Sequence, residues 1–407
     1  MIEKTSAPGP EFIKLITYGR KTGLPHIVLL RFIIMDNSFY VVAGHKGSDW
    51  YKNAISSGSA KVRLGNLVYL VSAELPSEKE KEDLRAPFIR KYGARIVSLW
   101  YKDISNSLKL TPVSQPTFRG FERGENETIL TLEGWKKLGK DYLASVSEAF
   151  DSASEEYDFT ISRNYINTFV RRISIKTLLK YTKREDILLE IGCGTGKEAM
   201  EISQYVSKIY ITDISEAMLK LASAKIKAYS LDSKVIPLKL RAAEVSKVRG
   251  ITDKEFNMIY SLNGALNCEP EIERFAEGAY SLLADGGYFI CSIRNKLCIS
   301  EMLLHALVLQ FNKATPRKKQ PVMISVGGMD IPTFYYYPSE FVKRLSKYFH
   351  PVEIIGLPTL LPPAYLSNYY VRLGRIRVLI EAIENRLSSL FPLNRLGDQT
   401  LFVFKKK

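Results

Sequence analysis

The period of the apolar and polar positions changes once along the chain. Up to about residue 113, short apolar runs alternate with turn residues. Segments 13–17, 27–35, 39–43, 60–64 and 67–75 read as strands, and 106–113 as a closing one. Gly19-Arg20-Lys21-Thr22-Gly23, Asp36-Asn37 and Gly65-Asn66 supply turns between them. A helix rich in both charges, about 77–92, interrupts the strands. Short antiparallel strands with one or two helices predict a small β-barrel over 1–113.

A bridge over 114–144 carries Pro116, Gly120, Gly124, Gly134 and Gly139 with mixed charge, and reads as a linker. From 145 to 407 the texture becomes α/β. Segments 187–191, 208–212, 236–240, 257–261, 287–293 and 400–404 are strand-like, with helical stretches between them. Such alternation predicts a parallel sheet with crossover helices. Two domains also suit 407 residues, since one domain spans about 100–200.

Candidate chemistry concentrates at Leu188-Leu189-Glu190-Ile191-Gly192-Cys193-Gly194-Thr195-Gly196-Lys197, an apolar strand that runs into a glycine-rich turn with a helix starting near Lys197. Glycines let such a turn adopt positive φ and let a ligand touch backbone. Dinucleotide sites use a similar turn, but the spacing here is Gly-x-Gly-x-Gly. Glu190 would repel a pyrophosphate and suits a ligand with sulfonium and ammonium groups. Asp213 ends the next strand, before Ile214-Ser215-Glu216. Its carboxylate offers enough lone pairs for two ribose hydroxyls; a helix N-cap is the competing role.

These residues resemble the class I, Rossmann-like, S-adenosylmethionine-dependent methyltransferases that act on small molecules. The resemblance covers 148–405: Glu190 to Gly196 matches the first motif and Asp213 the second. Leu282-Leu283-Ala284-Asp285-Gly286-Gly287 matches the turn before the strand that precedes the final hairpin, and 149–158 resembles a lid helix. It implies S-adenosylmethionine as cofactor, contacted by Glu190, Gly192, Gly194, Gly196, Asp213, Ile214, Glu244 and Asn263. Two positions depart from the family. Ala242 stands where an acidic residue usually meets the adenine, with Glu244 as a substitute, and the fourth strand has Asn257 where Asp is common.

After that strand comes Tyr260-Ser261-Leu262-Asn263-Gly264-Ala265-Leu266-Asn267. It lacks the Asn/Asp-Pro-Pro-aromatic motif of amino-methylating nucleic-acid enzymes, so a nucleic-acid partner is not expected and a small-molecule acceptor is. Between Asn295 and Thr333 lies an insertion with an apolar helix, 299–311, and the cations Lys313, Arg317, Lys318 and Lys319. Tyr335-Tyr336-Tyr337 follow, and 357–366 is apolar with three prolines. These segments read as a cap over a lipophilic, aromatic or quinone-like acceptor; the alternatives are core packing for the helix and a half-buried strand for the tyrosines. His305 and His350 are the histidines that could serve as a base; the catalytic base is left unassigned.

In the first domain, the Gly19–Gly23 turn encloses Arg20 and Lys21, and two cations with exposed backbone N–H groups make an anion site. Lys61 and Arg63 are two apart, hence on one face of a strand. The segment Ala43-Gly44-His45-Lys46-Gly47 leads to Trp50-Tyr51-Lys52-Asn53. Residues 12–113 resemble the deazaflavin-dependent nitroreductase and quinone-reductase family, a split β-barrel related to flavin-binding oxidases. Gly19 to Pro25 matches the Gly-Arg-Lys-Ser/Thr-Gly-x-Pro motif; the second block is shortened before Trp50. The resemblance implies a deazaflavin of the F-420 type, or flavin mononucleotide, held by Arg20, Lys21, Thr22, Lys46, Trp50 and Lys61. A cofactor-free barrel serving for docking or homodimerisation is the alternative.

Charge and cysteine content refine this picture. The formal net charge is +15, and residues 1–112 hold 17 Lys+Arg against 10 Asp+Glu. The excess suggests anionic partners, but the lysines are scattered through amphipathic segments and read first as a solvated surface, and no block of five like charges marks a nucleic-acid tail. Cys193, Cys268, Cys291 and Cys298 form neither a Cys-x-x-Cys pair nor a zinc-ligand spacing, so no metal is expected and a reduced, cytoplasmic setting is. No run of about 20 apolar residues predicts a transmembrane helix, and Met1 to Pro10 has no apolar signal core.

Overall fold

The computed structural model describes residues 11–44, 47–101, 104–118, 139–307, 317, 320–367, 370 and 376–407. The chain divides into two compact units, Met1–Glu122 and Arg123–Lys407.

In the first unit the strands are β1 (Phe12–Tyr18), β2 (Pro25–Met35), β3 (Ser38–Val42), β4 (Ser59–Leu64), β5 (Leu67–Glu74), β6 (Ser107–Pro112) and a short β7 (Thr117–Phe118). Their order is β4-β1-β2-β3-β6-β5-β7, and β4 also pairs with β5. Six strands therefore close on themselves into an antiparallel barrel, which removes the open edges of the sheet. Alternate residues such as Ile13, Leu15, Val41, Val62, Val71 and Leu110 fill it. The β2–β3 hairpin turns on Asp36 and Asn37, with φ of 46° and 59°, a conformation that short Asx side chains tolerate. Helices Asp49–Ser57, Glu78–Tyr92 and Ala94–Trp100 complete the unit. The second starts on a capping box between Ser77 and Glu80. Strand β7 carries the barrel to Phe118, beyond the expected boundary at 113.

Among the described residues the second unit begins with two helices, Gly139–Arg163 and Tyr165–Lys180; the first starts inside the expected linker. Strands β8 (Ile187–Ile191), β9 (Lys208–Asp213), β10 (Val235–Lys239), β11 (Phe256–Ser261) and β12 (Leu283–Arg294) follow. After them come β13 (Val322–Val326), β14 (Met329–Thr333), β15 (Phe349–Leu357) and β16 (Gln399–Lys406). The main sheet has the order β10-β9-β8-β11-β12-β16-β15. The pairings from β10 to β12 are parallel, and β16 is antiparallel to both β12 and β15. Successive strands leave β8 in both directions, so a crevice opens beyond the C-terminal ends of β8 and β11, where open α/β sheets bind ligands.

Strand β15 and the β13–β14 hairpin were not foreseen from the sequence. β15 is an edge strand whose register shifts between Pro351 and Glu353, and proline belongs at such edges. Its apolar alternation is broken for that reason. Of the aromatic triplet, Tyr335 and Tyr336 are buried and Tyr337 is exposed, just before the helix Pro338–Leu345.

Candidate functional site

The turn after β8 owes its shape to three glycines. Gly192, Gly194 and Gly196 have φ of 70°, 54° and 73°, values that L side chains rarely adopt. A Cβ on Gly192 would lie 2.4 Å from the Ala265 Cβ, in the loop after β11. At Gly194 the nearest atom would be Tyr157 Cε1, 3.7 Å away. Gly192 is thus required by packing, whereas a Cβ on Gly194 would meet Tyr157 only at ordinary contact distance.

Asp213, at the tip of β9, accepts from Gly194 N–H through Oδ2 (2.7 Å) and from Ser215 N–H through Oδ1 (2.9 Å). Burial raises its pKa, and the backbone donors of Ser215, Gly194 and Ile214 oppose the rise. Each oxygen keeps a further lone pair. The N-cap of the following helix is Ser215, whose hydroxyl accepts from Met218 N–H, so Asp213 is not the cap.

Glu190 is buried in β8 and accepts from the Tyr260 hydroxyl (3.2 Å). Burial pushes its pKa well up, and the charges of Glu198 and Asp213 add to that. Glu198 lies in the helix Lys197–Ile202, which the glycine turn starts. It pairs with Arg171 (2.9 Å) and accepts from the Asn263 amide (3.4 Å). Asn263 itself has φ of 57°, a strained value for a side-chain-bearing residue at a loop tip. Three carboxylates therefore crowd one glycine turn, an arrangement that a cationic ligand relieves.

The helix Gly139–Arg163 is docked over this turn. Asp151 Oδ1 accepts from Ser215 Oγ and Ala217 N–H, Asp158 accepts from Thr195 Oγ1 and Lys225, and the Ile214 carbonyl accepts from Ser147 Oγ (3.2 Å). Tyr157, from the same helix, sits over Gly194. Its pKa is raised by burial, with Glu198 and Asp213 adding to it. Tyr157 and Asp158 lie in the segment expected to form a lid helix, whereas Glu198 and Arg171 were not singled out from the sequence. Glu198 is one helical step beyond the glycine motif, a position the motif itself points to.

The remaining sequence candidates separate. Ile214 follows Asp213 at half-burial. Glu244 lies in the 3-10 helix Ala242–Gly250 after β10, and its carboxylate pairs with Lys247 at 2.6 Å. The buried acid of that corner is Glu269, which accepts from Arg241 and from Ala243 N–H. His305 is half-buried on the helix Ile299–Leu307. His350 pairs in register with Lys405, which also faces Tyr288 near the start of β12. That is the end of the sheet opposite the glycine turn, so His350 is removed as a base. Lys313, Lys318 and Lys319 lie outside the described residues.

In the barrel, Arg20 donates from Nε to Asn53 Oδ1 (3.1 Å) and approaches Asp49 (3.8 Å), tying the Gly19–Gly23 turn to the helix Asp49–Ser57. Thr22 Oγ1 accepts from Leu24 N–H (3.3 Å), and Lys21 is exposed. Lys61 lies over the Tyr18 ring (5.6 Å) on the outer face of β4, two residues from Arg63. Trp50 is 7% exposed and belongs to the barrel core. Lys46 lies outside the described residues.

Residues 189–291 match the family model for a methyltransferase domain, and residues 3–97 match that for F420H(2)-dependent quinone reductase. The chain therefore carries two family matches, one on the barrel and one on the α/β unit, and the α/β unit is a methyltransferase domain. An uncharacterised protein of Methanocaldococcus jannaschii is 26% identical over 207 residues, 50% of this chain and 74% of that protein. The ribosomal protein L11 methyltransferase of Bacillus licheniformis is 32% identical over 131 residues, 30% of this chain and 36% of that protein. This chain thus spans little more than a third of the Bacillus enzyme. The N-methyltransferase NodS of Bradyrhizobium japonicum, solved with S-adenosyl-l-homocysteine, superposes with a TM-score of 0.40 at 10% identity, covering 64% of this chain and 98% of NodS. Among the described residues no group of His, Cys, Asp and Glu could hold a metal, and no helix is long and apolar enough to cross a membrane.

Proposed function

We propose that the methyltransferase domain methylates a small, aromatic or quinone-like acceptor, and that the barrel holds a deazaflavin with which the same acceptor is reduced. The observation that supports the first half most is the convergence of Asp213, Glu190 and Glu198 on the glycine turn. S-adenosylmethionine supplies a methyl group on a sulfonium centre. Asp213, fixed by two backbone donors, has lone pairs left for ribose hydroxyls. Glu190 and Glu198 complement the cationic end, and Gly194 leaves room for backbone contact. Tyr157 and the helix that carries it cover the turn and exclude water. Alignment of donor and acceptor then accounts for most of the rate, as in other displacements between two bound reactants. A base is needed only for an acceptor that must lose a proton early.

The barrel suits an anionic cofactor by charge: Arg20 and Lys21 lie in one turn, and Lys61 and Arg63 on one strand face. A reduced deazaflavin supplies hydride. Reduction of a quinone creates the phenolic oxygen that a methyl group can then cap, which gives the fusion a chemical rationale. A second reading, a barrel for docking or homodimerisation, is favoured by Trp50 lying in the core and by Arg20 committing its Nε to Asn53. Absorption spectra of the full chain with added deazaflavin or flavin mononucleotide separate the two. For the acceptor, transfer of label from S-adenosylmethionine to a panel of quinols, phenols and aliphatic amines tests the class. Labelling of amines but not of phenols or quinols contradicts it.

A further inference from the structure

Arg294 ends β12, on the same edge of the sheet as the glycine turn and the loop after β11. Its N–H donates to Asn267 Oδ1 (2.9 Å), and its carbonyl accepts from Tyr336 N–H (3.3 Å). The side chain runs along the loop after β11. A Cβ on Gly264 would lie 3.4 Å from Arg294 Cγ and 3.8 Å from Nε. The neighbouring residue in that loop, Asn263, is the one that reaches Glu198. Arg294 and Glu198 therefore lie beside two adjacent residues of that loop, Gly264 and Asn263.

One nitrogen of Arg294 is committed. Nη1 donates to Asp398 Oδ2 (2.9 Å), while Asp398 Oδ1 accepts from Arg317 Nη2 (2.6 Å). Arg317 is committed at all three nitrogens: its Nε also donates to Glu301 (2.6 Å) and its Nη1 to the carbonyls of Asn295 and Asp398. Asp398 thus serves both cations, and Arg317 has Glu301 as a second counter-ion. The Nε–Nη2 edge of Arg294 makes no hydrogen bond among the described residues, and this is the edge that accepts a carboxylate side-on through two parallel N–H donors. The Arg294 side chain is 27% exposed, and although burial opposes its charge, Asp398 holds the guanidinium pKa above its ordinary value. Tyr335 lies beside the same charges: the Arg317 guanidinium sits 5.5 Å from its ring centroid, and the N–H of the next residue, Tyr336, donates to the Arg294 carbonyl. Its hydroxyl makes no hydrogen bond among the described residues.

We propose that Arg294, assisted by the Tyr335 hydroxyl, forms an anion subsite in the acceptor pocket, so that the methyl acceptor carries a carboxylate. The inference rests on reading this domain as a methyltransferase and narrows the acceptor class. Asp398 holds the guanidinium at one end, which leaves the fork pre-oriented.

The test is calorimetric titration of the full chain, with S-adenosylhomocysteine present, using two isosteric pairs: benzoate against benzamide, and octanoate against octanamide. The acid of at least one pair should bind about ten-fold tighter than its amide, as expected for a charge-assisted bidentate pair. Arg294→Met should remove that preference, Arg294→Lys should keep part of it, and Tyr335→Phe should reduce it. Affinity for S-adenosylhomocysteine should stay within about two-fold in all variants, which also reports that they fold. No preference for either acid in the native chain, or a preference that survives Arg294→Met, overturns the subsite. If the native chain fails to bind S-adenosylhomocysteine, the methyltransferase reading falls, while the acid–amide comparison without it still decides the role of Arg294.

Discussion

The N–H of Gly194 donates to the Asp213 carboxylate at 2.7 Å, which joins the turn after β8 to the tip of β9. One side chain therefore both shapes the glycine turn and faces the space beside it. Loss of Asp213 has two separable consequences: the ligand loses acceptors, and two backbone donors lose a buried partner.

Asp213→Ala should abolish measurable binding of S-adenosylhomocysteine and also lower stability by about 1–3 kcal/mol, the cost of leaving buried donors unpaired. Asp213→Asn retains an acceptor for one donor and should lose less stability while still losing affinity. Thermal melts alongside calorimetry check both. Native affinity in a folded Asp213→Ala variant removes the ribose role.

Two glycines of one turn should behave differently. Gly192→Ala places a methyl 2.4 Å from the Ala265 Cβ and should destabilise the domain strongly. Gly194→Ala meets nothing closer than Tyr157 Cε1 at 3.7 Å. Its positive φ costs only about 1–2 kcal/mol, the usual penalty for a left-handed residue. The domain should stay folded and bind S-adenosylhomocysteine less tightly. Equal losses of melting temperature in the two variants contradict this assignment.

Binding should depend on pH through Glu190. Burial and the adjacent Glu198 raise its pKa, so the free domain holds a proton there at a pH where an ordinary glutamate has lost it. A cationic ligand favours the carboxylate, so binding expels that proton. Affinity for S-adenosylmethionine should climb as pH rises through the raised value and level off above it. Calorimetry in buffers of different ionisation enthalpy should register proton release, and Glu190→Gln should remove it. Proton uptake on binding contradicts the account.

For the barrel, the double change Arg20→Ala, Lys21→Ala should weaken deazaflavin binding by the full chain and flatten its salt dependence, since exposed charges are screened over about 8–10 Å at ordinary ionic strength. Fluorescence titrations at two salt concentrations read this directly. An unchanged salt dependence places the anion site elsewhere.

Much of the fold was legible because its signals are local. Strands β8, β9 and β11 are buried apolar runs bounded by turns, and the barrel strands alternate as half-buried strands must. The glycine turn and Asp213 were legible because positive φ and a strand-end carboxylate leave marks in sequence. Arg294 was not, because its environment is assembled from Asp398, Arg317 and Tyr335, up to 104 residues away in the chain. Glu198 was overlooked because a glutamate in the first turn of a helix looks like a solvated charge; only tertiary packing buries it beside Glu190. Trp50 illustrates the converse, since a motif tryptophan can be conspicuous in sequence and serve the core.

The most direct measurement is calorimetric titration of the full chain with S-adenosylmethionine and, separately, with NAD. The Gly-x-Gly-x-Gly turn flanked by Glu190, Glu198 and Asp213 predicts one molecule of S-adenosylmethionine bound per chain and no heat from NAD. Saturable binding of NAD, or none of S-adenosylmethionine, would contradict the assignment of this turn as a methyl-donor site.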